Sequence, residues 1–339
     1  MNKLVKRVFN TNYVSLYITV ALFLILFAIG SLSFRGFFSL QVISNLFIDN
    51  AHLMIVALGE TLVIVSGGID LSVGSVISLI CMMSAYLITT LNVPLSVVLV
   101  IAILIGLLIG ALNGVLVSYF GFQPFIATLT TQFLGRGLCY VISTDTINIT
   151  NEAFVKISQI RIPLPGKAFI SPGVVLALIS LAAFVLIAHH TKFGRAVYAV
   201  GGNEQSARLM GLPVDRTKLM VYVLSGLSAS IAGIAFALYM LSGYGAHASG
   251  IHLDAVAAAV IGGTIMSGGV GLVVGTLIGV LITGIIQTLI MYQGTLNAWW
   301  TSIAVAFLLL MFIVIQRFLS FRRERKKTAR SVETIHKEG

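Results

Sequence analysis

The chain has 339 residues, of which 58% are hydrophobic and 9% are charged, and its mean hydropathy is +1.03. Soluble domains carry about 25% charged residues, so this composition excludes an ordinary soluble enzyme, a disordered chain and a fibrous repeat. The formal net charge of +10 does not come from a soluble basic domain. It therefore predicts a membrane surface as the partner, and no nucleic acid.

Ten apolar runs follow one another along the chain. A helix needs about 20 apolar residues to cross about 30 Å of hydrocarbon. We therefore predict an all-α membrane protein with about ten transmembrane helices, at 13–34, 51–66, 72–91, 95–120, 123–143, 172–190, 217–241, 251–265, 268–291 and 297–316. The runs at 51–66 and 251–265 are short and end in glycine pairs, so we expect short or broken helices there.

The positions of Lys and Arg set the expected orientation. With both termini placed in the cytoplasm, sixteen of the 21 Lys and Arg residues lie on the cytoplasmic side. We therefore expect a cytoplasmic segment at 1–12, a transmembrane domain at 13–316 and a basic cytoplasmic tail at 317–339 that attracts membrane lipid. Two longer loops interrupt the domain, an outward loop at 144–171 and a cytoplasmic loop at 191–216.

The cytoplasmic loop is the most polar internal segment. Asn203 is placed to cap a short helix and Gly211 to end it, with Ala207 and Met210 on one face. A short helix outside the membrane is suited to docking a partner protein. The alternative is a helix that rests on lipid.

Four ionisable residues lie inside the predicted spans, namely Glu60, Asp70, Arg136 and Asp254. Such residues cost about 2.5 to 3.5 kcal/mol at a helix centre and are usually functional. We expect Asp70 to cap a helix that begins near Leu71, with a role in the pathway or gate beside it. Arg136 is expected to pair with a carboxylate or with helix-end carbonyls, and Asp254 either reaches water or stays within its span.

Further polar residues are candidates for the translocation pathway or its gate, together with Asp70 and Arg136. They are Ser66, Ser72, Gln123 and Thr128. The polar residues of the run at 123–143 either bond to neighbouring helices or line a path for a hydroxyl-rich solute, and both interpretations stay open.

Glycines recur at a spacing of four residues, which is typical of close helix packing in lipid. They are Gly106, Gly110 and Gly114, and Gly271, Gly275 and Gly279.

The sequence also contains a weak internal repeat: residues 64–74 are echoed at 265–275, and residues 106–110 at 275–279. The second pairing fits an inverted five-plus-five repeat, whereas the first does not fit that register.

The sequence has no GxxxxGK[ST] phosphate loop, no HExxH and no GxSxG motif. We therefore predict neither an enzyme nor a cofactor or metal site in this chain, and active transport would need an ion gradient or another subunit. If an ion gradient drives transport, the chain would be a stand-alone ion-coupled secondary transporter that uses Glu60, Asp70 and Arg136. Cys81 and Cys139 lie in apolar runs and are predicted to be buried.

Four motifs together resemble a known family. They are SGGIDLSVGS at 66–75, GFQPFIATL at 121–129 followed by Arg136-Gly137, FGR…AVGGNE…ARLMG at 193–211, and VIGGT…SGGVG at 260–271. In this order, from about Phe37 to Arg317, the chain resembles the permease subunits of bacterial ribose/xylose/arabinose-type ABC sugar importers. Within that family it is most similar to a galactofuranose importer permease, on Leu253–Ala255, Gly294–Leu296, Trp299–Thr301 and Gln316-Arg317.

The resemblance implies a multi-pass protein of the bacterial inner membrane that moves a monosaccharide, galactofuranose-like, by alternating access. It implies cytoplasmic ATPase subunits that hold ATP-Mg, a second permease subunit (a paralogue or the same chain) and a periplasmic sugar-binding protein, so that loop 144–171 would be periplasmic. It also implies that residues 201–211 couple to the ATPase. The coupling residues would be Gly202, Asn203, Glu204, Ala207 and Gly211.

Overall fold

The structure, a computed structural model, describes residues 14–295, 297 and 299–314. Within these residues every one of the ten apolar runs contains a helix, which confirms the helical membrane class. The helices are α1 (Val14–Ser33), α2 (Leu40–Val65), α3 (Val73–Ala85), α4 (Leu95–Ser118), α5 (Pro124–Ile142), α6 (Glu152–Ser158), α7 (Pro172–His190), α8 (Lys192–Gly202), α9 (Glu204–Leu209), α10 (Val214–Met240), α11 (Ile251–Ile261), α12 (Val273–Gln293) and α13 (Trp299–Val314). The segments predicted at 1–12 and 317–339 lie outside the described residues.

Eight helices in the described part are long and apolar enough to cross a membrane: α1 to α5, α7, α10 and α12. A π-helical turn at Tyr86–Thr90 extends α3 to that length. The helices α11 and α13 are shorter, and α11, with 11 residues, is only about 16 Å long. The short helix expected at 251–265 is confirmed, whereas the number of crossings and the side of the termini stay predictions.

The expected short helix at 51–66 is wrong, because those residues are the last part of the 26-residue helix α2. The helix begins at Leu40, where the Ser39 hydroxyl accepts a hydrogen bond from the backbone N–H of Val42. Polar residues such as Asp49 and Asn50 interrupt the apolar pattern in the first turns and hide the start of the helix. The helix ends where Gly67 takes a positive φ of 86°.

The bundle has two ends that differ in structure. At one end, called the elbow end, α8 and α9 follow α7. At the opposite end, called the far end, two-residue strands form two antiparallel pairs: β1 (Ile147–Asn148) with β4 (Ser242–Gly243), and β2 (Ile162–Pro163) with β3 (Phe169–Ile170). Between these ends α4 and α12 run in opposite directions, as the predicted inverted pairing requires.

The helix α10 lies at the centre and packs against α2, α3 and α4. The predicted glycine spacings lie at helix contacts. A Cβ on Gly114 would lie 2.7 Å from the Leu219 side chain on α10, and a Cβ on Gly110 would overlap the Tyr222 carbonyl. Gly275 and Gly279 likewise bring α12 against the backbone of α11. Since a side chain at any of these positions would separate two helices, glycine sets the spacing.

Candidate functional site

Asp70 lies in the connection between α2 and α3 and is 1% exposed. Its Oδ1 accepts hydrogen bonds from the Ser72 backbone N–H (3.0 Å) and the Ser72 hydroxyl (2.6 Å), and its Oδ2 accepts one from the Ser225 hydroxyl on α10 (2.7 Å). The helix begins at Val73, two residues later than predicted. Asp70 therefore binds a backbone N–H before the helix start and also joins α10.

The hydrogen bonds of Asp70 continue across two more helices. Asn113 on α4 donates through Nδ2 to the Ser72 hydroxyl (2.9 Å), and Thr131 on α5 donates to Asn113 Oδ1 (2.7 Å). All of these side chains are buried. This polar network, defined by Asp70, Ser72, Asn113, Thr131 and Ser225, connects α3, α4, α5 and α10 inside the bundle.

Glu60 on α2 adjoins the polar network and is fully buried. Its Oε1 accepts a hydrogen bond from the Asp70 backbone N–H (3.2 Å). Its Oε2 has no hydrogen-bond partner among the described residues. The structure thus brings the two acidic residues of the α2–α3 region together through the backbone.

Arg136 on α5 holds the connection between α10 and α11. Its Nη1 donates to the Ser78 hydroxyl (2.8 Å) and to the carbonyls of His247 (2.8 Å) and Gly245. The expected partners were a carboxylate or helix-end carbonyls, whereas the carbonyls that Arg136 contacts belong to the loop between α10 and α11. The described residues contain no ion pair between Arg136 and a carboxylate.

Of the other predicted pathway residues, Thr128 adjoins the polar network, because its carbonyl accepts a hydrogen bond from the Thr131 hydroxyl (3.0 Å) and its own hydroxyl lies 3.5 Å from the Ile69 carbonyl. Ser66 and Gln123 have no hydrogen bond to that network among the described residues. The Ser66 hydroxyl bonds to the Val63 carbonyl (2.7 Å) at the end of α2, and the buried Thr128 hydroxyl bonds to the Pro124 carbonyl (2.8 Å). Gln123 is exposed at the start of α5. Sequence reasoning did not single out Asn113 and Ser225, although an amide within the apolar run of α4 was a usable signal.

The helix α9 has the predicted caps. The Asn203 side chain accepts a hydrogen bond from the Ser206 backbone N–H (2.7 Å), and Gly211 has a φ of 76° just after the helix. Ala207 is fully buried, but Met210 is 69% exposed, so the prediction that they share one face is wrong. Met210 already belongs to the C-terminal turn, which directs its side chain to the surface.

Ion pairs connect α9 to the first turns of α10. Glu204 accepts from Lys218 Nζ at 2.6 Å, and the Arg208 guanidinium makes two bonds to the Asp215 carboxylate, at 2.6 and 3.0 Å. The Asp215 hydrogen bond raises the pKa of Arg208 above its usual range. These exposed pairs contribute little energy individually, but together they fix the direction of α9. Leu209, 89% exposed, is thereby presented at its tip.

Three glycine pairs meet at the elbow end. The end of α8 packs on the end of α2, since a Cβ on Gly201 would overlap the Val65 carbonyl and lie 2.8 Å from Gly269 N. The Gly269 N–H donates to the same Val65 carbonyl at 2.8 Å, and Gly268 lies against Gly67. We call this contact the glycine joint. It places the echoed SGG segments of the two halves side by side with α8, where no side chain separates them.

Comparisons with known proteins agree on one class. The family described as Branched-chain amino acid transport system / permease component matches residues 42–315. The chain is 41% identical to the inner membrane ABC transporter permease protein YjfF of Escherichia coli (strain K12), over 93% of this chain and 95% of the relative. It is 39% identical to the fructose import permease protein FruG of Bifidobacterium longum (strain NCC 2705), over 88% and 89%.

The chain is also 34% identical to the ribose import permease protein RbsC of Escherichia coli (strain K12), over 86% of this chain and 90% of the relative. No solved structure matches the chain.

Proposed function

The chain belongs to the family described as Branched-chain amino acid transport system / permease component, and from this premise we propose that it is the permease subunit of an ATP-driven sugar importer. The 41% identical relative YjfF is named as an inner membrane protein, and ABC permease subunits are not themselves enzymes, since the ATPase is a separate subunit. A stand-alone ion-coupled transporter is not favoured.

The proposed substrate is a monosaccharide. The family description names amino acid transport, but relatives that cover most of this chain are named for fructose and ribose import. A galactofuranose-like sugar is proposed on the resemblance carried by Leu253–Ala255 and Trp299–Thr301. Three further residues carry that resemblance but lie outside the described residues: Leu296, Gln316 and Arg317.

The observation that carries the proposal is the construction of the elbow end. An exposed apolar tip at Leu209 and Met210 stands on α9, which is joined to α10 by ion pairs. The preceding helix α8 contacts α2 and the α11–α12 connection at the glycine joint. A partner that moves α9 would therefore move the start of α10 and, through α8, the end of α2 and the α11–α12 connection. This suits a coupling helix at residues 201–211 that receives the movement of a cytoplasmic ATPase.

In the proposed mechanism the chain alternates between outward-facing and inward-facing states, and closure of the ATPase changes their populations. The polar network keeps α3, α4, α5 and α10 together during the change. Arg136 holds the α10–α11 connection, and with Asp70 and Ser72 it is proposed to act in the gate. A second permease subunit completes the pore, and a periplasmic sugar-binding protein delivers the substrate.

The proposal is tested in liposomes that contain the chain with its ATPase, second permease and binding protein. We expect Leu209→Ser to abolish most of the sugar-stimulated ATP hydrolysis, because the exposed tip loses its apolar contact. The control is Val141→Ser, an apolar residue of similar exposure (82%) at the end of α5 nearest the far end. Unchanged stimulation in Leu209→Ser would contradict the coupling role.

The orientation has its own test. A cysteine introduced at Asn203 should react with a membrane-impermeant maleimide from the cytoplasmic side only. The native Cys81 and Cys139 are buried and give a low background. Labelling from the exterior would overturn the proposed topology and with it the docking of the ATPase.

A further inference from the structure

A cavity of 580 Å³ lies in the half of the bundle nearest the far end. Its walls come from α2, α10, α11, α12 and α13 together with the α10–α11 connection. None of the residues predicted for the pathway lines it. The cavity is large enough for a sugar ring, and its lining combines polar and apolar surface, as in small-molecule sites.

The polar side chains of this cavity have free hydrogen-bonding capacity. The carboxylate of Asp254, in the first turn of α11, has no hydrogen bond or ion pair among the described residues, while the Asp254 backbone N–H donates to the Gly250 carbonyl (3.3 Å). Asn50 is 5% exposed and donates to the Leu46 carbonyl (2.9 Å), while its Oδ1 accepts no bond within the described part. Asp49 accepts one hydrogen bond, from the Tyr239 hydroxyl (3.2 Å), and Gln287 lies on the α12 wall.

Aromatic rings form another wall of the same cavity. The His52 ring lies 4.6 Å from the Phe236 ring and 6.1 Å from the Tyr239 ring, measured between centroids. No Lys or Arg side chain lines the cavity within residues 14–295, 297 and 299–314. Carboxylate and amide acceptors facing rings suit a solute with many hydroxyl donors and an apolar face, and the absence of a cation is unfavourable for an anion.

We propose that this cavity binds a neutral monosaccharide during transport, with Asp254, Asp49 and Asn50 accepting hydrogen bonds from its hydroxyls and Tyr239 and Phe236 contacting its apolar face. The proposal rests on the proposed function and specifies the substrate as an uncharged sugar. Uronic acids and sugar phosphates are excluded, because their charge would meet two carboxylates.

Uptake by the complete importer in liposomes tests the proposal, with D-galactose, D-ribose and D-fructose as probes. We expect Asp254→Asn to raise the KM for uptake about tenfold, since a hydrogen bond to a charged acceptor is weakened. Asp145→Asn, which changes an exposed carboxylate of the far-end loop, should leave the KM unchanged. An unchanged KM in Asp254→Asn, with wild-type uptake intact, overturns the cavity assignment.

A binding readout separates this inference from the proposed function. Ser249, exposed and on the cavity wall, is replaced by Cys in a chain that keeps Asp254. The transported sugar should slow the reaction of this cysteine with maleimide at least threefold, and glucuronate should not. Equal labelling of the introduced cysteine with and without sugar overturns the inference, even if the Asp254→Asn variant fails to insert into the membrane. If the wild-type importer takes up none of the three probes, that result contradicts the proposed function itself.

Discussion

Two adjacent glycines at the end of α8 give the sharpest test of the glycine joint. A Cβ on Gly201 would overlap the Val65 carbonyl and lie 2.8 Å from Gly269 N, whereas a Cβ on Gly202 meets no atom within 4 Å. Both belong to the same helix, and neither has a positive φ. Gly201→Ala and Gly202→Ala therefore make the same chemical change in two different surroundings.

The magnitude follows from the packing. Ordinary van der Waals contact begins at 3.4 Å, so Gly269 must move by at least 0.6 Å, and the Val65 carbonyl by more, to admit a Cβ on Gly201. Overpacking of this kind costs about 1 to 3 kcal/mol. Weakening of the hydrogen bond between Gly269 N and the Val65 carbonyl adds about 1 kcal/mol. In contrast, alanine at Gly202 is neutral or stabilises the helix by up to about 1 kcal/mol.

Thermal unfolding of the purified chain in detergent measures this difference. We expect Gly201→Ala to lower the Tm by roughly 5 °C or more, given about 2 °C per kcal/mol for large domains. Gly202→Ala should stay within about 2 °C of the wild type, or slightly above it. Equal melting of the two variants would refute the backbone contact between α8 and α2.

Further predictions concern stability and can be measured in the same way. Ser225→Ala should lower the free energy of unfolding by about 1 to 3 kcal/mol, because Asp70 Oδ2 loses its hydrogen-bond donor. The Ser228 hydroxyl donates to the Ser225 carbonyl of the same helix, so Ser228→Ala should lower it by less than about 1 kcal/mol. Equal losses in the two variants would contradict the polar network. Gly211→Ala should cost about 1 to 2 kcal/mol, because a φ of 76° disfavours a Cβ, and an unchanged Tm would contradict the left-handed turn after α9. Partial burial and the charge of Arg136 lower the pKa of His247 in the fold, so stability should fall as the pH drops below about 6.5. In His247→Gln this fall should be smaller, and an identical pH profile would contradict the partial burial of His247.

The short helix α9 shows how much local sequence could predict. Asn203 and Gly211 fix its two ends through backbone geometry that depends only on neighbouring residues. Hydropathy likewise located the apolar runs that contain the long helices, because the thickness of the bilayer sets the minimum length of a helix that crosses it. The length of α2 was missed where polar residues such as Asn50, which faces the cavity, break the apolar pattern.

The membrane class, the apolar runs and the ends of α9 were thus determined by the sequence alone. Only the tertiary structure decided that Asp70 reaches Ser225, that Arg136 holds loop carbonyls, and that Gly201 lies on Val65. The physical reason is that a buried polar group bonds whichever donor or acceptor the packed helices bring within about 3 Å. That neighbour is far away in the sequence, and its position depends on the close helix contacts that glycine permits.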